Sequence, residues 1–155
     1  SMKVTREQKP ELLENLRSTH RAKVVLQTAK IAGEYYGKIF EIYKDAAREA
    51  VNTKTQWQSA VLAAKVFSAK NFPLPADADI DAIKSHVAAA ASDKLIAEGA
   101  RKTLVDTLTN LSEIQRFADA AEARSLQSFF DKMIELQERH ESLIKKLKLE
   151  LGVPD

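Results

Sequence analysis

Three histidines, His20, His86 and His140, are the residues best suited to metal or proton chemistry in this chain. Helical metal sites present several ligands at one-turn spacing, and the di-iron pattern is a repeated Glu-x-x-His. Gln137 stands where His140 would need a glutamate, and no H-E-x-x-H occurs. The spacing predicts no metal site and no cofactor. A phosphoryl-accepting histidine at His140, in "ERHESLIKK", has no accompanying motif. Carboxylate pairs such as Glu138 and Glu141 occur on every charged helix, and nothing marks a general acid and base in one cleft. There is no cysteine, which rules out thiol catalysis and disulfides. No phosphate-cradling glycine loop and no nucleophile elbow is present. The sequence therefore predicts a protein that is not an enzyme.

Residues suited to recognition are more prominent. Residues 1–30 hold seven Lys or Arg against three Glu, whereas residues 71–99 hold two Lys against five acids. Macrodipole complementation accounts for acids at helix starts and bases at helix ends. It does not account for Arg17, Arg21 and Lys23, which fall early in a helix and are candidate contacts to an acidic protein or an anionic lipid surface. Trp57, the single tryptophan, is expected in the core, with a partner-binding anchor as the alternative. With 24 basic and 22 acidic residues among 155, nucleic acid is not the expected partner.

These residues ride on helices. Four glycines and four prolines, with abundant Ala, Leu, Lys, Glu and Gln, predict an all-α fold. Ser1-Met2 reads as a cleavage scar ahead of a start methionine, so the single domain is counted over 3–155. A first helical half spans 10–70, with "NTKT" (52–55) as a kink, a short turn or solvated helix. Two prolines within "NFPLPADADID" define a turn at 71–79. A second half spans 80–151, with Asp79 as its cap and a soft break expected at Asn110, which has capping-box spacing to Glu113. Gly152 and Pro154 end the last helix. Leu126, Phe129, Met133, Leu136, His140, Leu143, Leu147 and Leu151 step by three or four, a coiled-coil-like seam. From Gln56 to Lys70 the pattern is again helical, with Trp57, Val61, Ala64 and Phe67 or Leu62 on the apolar side.

In "GEYYGKIFEIY" (33–43), two glycines lie one turn apart in a helix, each at a cost of about 1 kcal/mol relative to alanine. Ile31, Tyr35, Ile39, Ile42 and Ala46 fill one side of residues 31–47, and Tyr36, Phe40, Tyr43 and Ala47 the next. So wide an arc needs two neighbours, and the glycines permit close approach. An aromatic ligand pocket around Tyr36, Phe40 and Tyr43 is the functional alternative. Two layouts satisfy the pattern: an elongated antiparallel helical hairpin, which would have to self-associate to cover both faces, or a four-helix bundle. In the hairpin, residues 71–99 form an acidic tip far from the basic N-terminal end.

The expected function is a non-catalytic protein–protein interaction or assembly module, with self-association as a homo-oligomer or a protein partner. The alternative is a peripheral hairpin on a membrane surface. No apolar run reaches the roughly 18 residues of a membrane span, and a cytoplasmic location is expected.

Overall fold

In the computed structural model the backbone is described at residues 9–49, 54–117 and 125–153, and side chains at 20–49, 56–116 and 125–153. The described residues are helical and form a bundle, without a strand. Helix α1 is Lys9–Glu49, α2 Lys54–Asn71, α3 Ile80–Ala91, α4 Glu98–Phe117 and α5 Leu126–Leu151, and a 3-10 turn occupies Ala76–Ala78. Among the described residues no helix is long and apolar enough to cross a membrane.

Four legs run up and down. Helix α1, about 60 Å long at 1.5 Å per residue, is the first and touches every other helix. The second leg descends along α1 in two pieces, α2 then α3, separated by the proline segment. Tyr35 Oη donates to the Phe72 carbonyl at 3.0 Å, and the Lys38 ammonium sits 4.5 Å above the Phe72 ring, so the break is fastened to the middle of α1. Helix α4 ascends and α5 descends, closing the ring against α1.

Local signals set most of the ends. The Asp79 side chain accepts the Asp81 N–H at 3.0 Å and starts α3. Gly152, at φ 66°, caps α5 in the left-handed region. Ser125 and Ser128 form a reciprocal capping box that starts α5.

Two boundaries differ from the sequence expectation. Helix α4 runs straight through Asn110, because that side chain is buried and donates to the Leu136 carbonyl of α5 at 3.1 Å. The chain instead breaks at 92–97, where the Asp93 carboxylate accepts the Leu95 N–H at 3.0 Å. The described part of α1 ends at Glu49, and residues 50–53, which include the start of "NTKT", lie outside the described residues.

Of the α5 seam, Phe129, Met133, Leu136, His140 and Leu147 are buried and Leu126, Leu143 and Leu151 are half-buried, while Ile144, outside the expected seam, is buried as well. On α1, Tyr36, Phe40, Tyr43 and Ala47 are buried, and Ile31, Tyr35, Ile42 and Ala46 are half-buried against the core. The wide arc is thus satisfied within one chain, by α2, α3, α4 and α5 together. The acidic segment is not a distant tip. It lies along the basic half of α1, where Arg21 and Asp93 pair at 3.3 Å.

Candidate protein-docking site

Between Ala60 and Ala69 helix α2 carries apolar residues on two sides, more than a single helix contact needs. Here it covers α1 with one side only. Trp57, Val61, Ala64 and Ser68 form the buried stripe. The sequence pattern left Leu62 and Phe67 as alternatives for that stripe, and neither joins it. Leu62 is 47% exposed, Phe67 54% and Val66 71%. With Ser59, Ala60, Ala63 and Ala69 they form a face that carries no charge until Lys70.

Beside this face runs a shallow groove of about 500 Å³ between α1 and α2, lined by Ile42, Ala46, Glu49, Ala60, Ala63, Ala64 and Phe67. Its small residues are cups next to large protruding side chains. The borders are charged with opposite sign. Helix α2 contains Lys54, Lys65 and Lys70 and no acid. The solvent side of α1 next to the groove carries Glu41, Asp45 and Glu49 at one-turn spacing, all exposed. Neither Glu49 nor Lys70 has an ion-pair partner among the described residues.

A second groove, about 650 Å³, follows the α1–α5 seam and includes Gly33, Tyr36, Gly37, Phe40, Ile114, Ile134 and Ile144. All three aromatic residues expected to line a pocket are buried; Tyr36 and Phe40 border this groove and Tyr43 does not. Burial pushes the Tyr36 phenol up to about 12, which keeps it protonated. His140 also lines this groove, 8% exposed, with Nε2 3.0 Å from the Ala29 carbonyl. A carbonyl only accepts, so Nε2 carries the hydrogen. Burial lowers the imidazole pKa, the Ala29 bond opposing. His140 thus serves as a neutral cross-link between two helices. Glu34, Glu138 and Glu141 line the same groove together with Lys30, Lys145 and Lys148. Among the described residues no three candidate ligands converge on a metal position.

Of the sequence-predicted binding residues whose side chains are described, Trp57 lies apart from Arg21 and Lys23, buried beside Phe129 while Arg21 pairs with Asp93. Arg21 is paired with Asp93, whose side chain is almost wholly covered. Lys23 is exposed. The Arg17 side chain lies outside the described residues. Trp57 requires a correction as a partner anchor: it is 4% exposed, its ring centroid 5.6 Å from that of Phe129, and it belongs to the core. The exposed α2 face and its Glu49 and Lys70 borders escaped the sequence reading. The signal was present in two apolar stripes on one helix, where a single contact needs only one.

No protein-family model, curated protein or solved structure matches this chain.

Proposed function

We propose that this chain is a non-catalytic helical module that works by docking a protein on the outer face of α2. The observation that carries the reading is the uncharged exposed run of Leu62, Val66 and Phe67 over more than one turn. Exposed apolar side chains clustered in this way mark interaction sites on soluble domains. The flanking groove supplies shape, and the acidic and basic borders supply orientation. The buried polar groups elsewhere act as structural ties: His140 binds Ala29 and Asn110 binds Leu136. A membrane-surface role is the weaker reading, because Glu41, Asp45 and Glu49 line the approach to the apolar face and repel anionic headgroups.

A photo-crosslinking amino acid at position 67 in the native host tests this. A protein adduct that disappears when Val66 is changed to Glu supports the reading. A lipid adduct favours the membrane surface, and no adduct at all overturns protein docking.

A further inference from the structure

We infer that the partner on the α2 face is a second copy of this chain, held by two α2 helices packed antiparallel about a two-fold axis. The inference rests on the docking reading above and adds the identity of the occupant. An isologous contact must be self-complementary: where residue i meets residue j, j meets i. The α2 face has this property. With the axis level with the middle of the exposed run, Ala63 of one copy lies opposite Val66 of the partner subunit. Leu62 then lies opposite Phe67 of the partner subunit, and Ala60 opposite Ala69 of the partner subunit. Leu62 and Phe67 then make the apolar contact on either side of the axis, with the smaller Ala63–Val66 and Ala60–Ala69 pairs beside them, and the pattern repeats when the copies are exchanged. With Leu62, Val66 and Phe67 at the contact, the helix axes would lie about 8–10 Å apart.

The charges agree with the same register. Lys70, at the C-terminal end of the face, is brought opposite Ser59 of the partner subunit. Glu49 lines the groove beside Ala60, at that same end of α2. Each Lys70 therefore falls beside a Glu49 of the other copy, and the two-fold axis produces the pair twice. Both side chains are exposed, and neither has an ion-pair partner within its own chain among the described residues. A parallel arrangement would instead set Lys70 against Lys70 and Glu49 against Glu49.

The test is charge exchange, read by sedimentation equilibrium on the full chain. The wild-type chain should show twice its 17.3 kDa mass over a range of about 10–500 μM, the affinity class of a small interface. Lys70→Glu alone and Glu49→Lys alone should each weaken the dimer about ten-fold or more, since each replaces two attractions by two repulsions. Mixing the two variants in equal amounts should restore association to within about three-fold of wild type, because both pairs are opposite in sign in the mixed dimer. Circular dichroism of each variant checks that the helices remain. A wild-type chain that stays monomeric across the range overturns the inference. So does dimerisation that is unaffected by either variant, or mixing that restores nothing. A crosslink from position 67 to a different protein, with a monomeric wild type, removes the second copy but leaves the docking face. The absence of any protein crosslink removes both.

Discussion

The Cδ2 edge of the His140 ring lies 2.6 Å from where a β-carbon on Gly33 would sit. The ring cannot retreat without breaking its bond to the Ala29 carbonyl, and it is carried by α5, which is packed against α1. Gly33 is therefore a steric requirement of the α1–α5 seam. Gly37, one turn on, is different: the nearest atom to its β-carbon position is the Gln137 Nε2 at an ordinary 3.5 Å.

The two glycines should respond oppositely to alanine. Gly33→Ala gains helix propensity but forces the ring away, and should destabilise the chain by about 1–2 kcal/mol net. Gly37→Ala meets no obstruction and should stabilise it by about 0.5–1 kcal/mol. Urea unfolding of both variants checks the pair, and the same sign for both would refute the assignment.

His140 should make stability pH-dependent. Its pKa is held below the ordinary 6.5 in the folded state, so the unfolded state binds more protons in that interval. Its contribution is complete above about pH 6.5 and is lost as pH falls through the folded-state pKa. His140→Gln keeps an N–H for Ala29 and removes the titration. The slope of stability between about pH 7 and pH 5 should be shallower in this variant, as measured by denaturant midpoints at a series of pH values.

Trp57 reports the packing of α2 on the bundle. Its emission should be blue-shifted and resistant to acrylamide, since the indole is enclosed beside Phe129. Phe129→Ala removes a fully buried ring and should cost about 3–5 kcal/mol. A chain that withstands that change with little loss would show that the upper end of the bundle is loosely packed.

Arg21 and Asp93 tie the basic half of α1 to the end of α3. The arginine is nearly half-exposed, so Arg21→Ala should cost less than about 1 kcal/mol, and the loss should shrink at high salt. Thermal melts at low and high ionic strength read both features. Salt-independent destabilisation would assign the effect to packing of the arginine stem.

Much of the fold was legible because its signals are local. Asp79, Pro73, Pro75 and Gly152 act within a few residues, and each ends or starts a helix as its chemistry dictates. Most of the α5 seam was legible because nearly every third or fourth residue is apolar, but between His140 and Leu147 the spacing fitted Leu143 as well as Ile144, and it is Ile144 that is buried. Asn110 misled because its capping chemistry suits a helix start, while its actual acceptor, the Leu136 carbonyl, belongs to another helix 26 residues away. The placement of the acidic segment failed for a related reason. A hairpin puts a proline turn at its end, whereas here the prolines interrupt one leg midway. The candidate site was the least legible part. Which of α2's two apolar stripes faces α1 depends on the curvature and level of neighbouring helices, which periodicity does not contain.

The central position of α1 has a consequence for how the chain folds. Its contact with α2 closes between neighbours in sequence, while the His140–Ala29 bond spans 111 residues. Loop-closure entropy makes the short connection far faster than the long one. During synthesis the α1–α2 hairpin can therefore form first, with half of α1's apolar arc still uncovered. It must remain so until α5 has left the ribosome, which makes the interval before the last helix emerges the period of greatest exposure to misassembly.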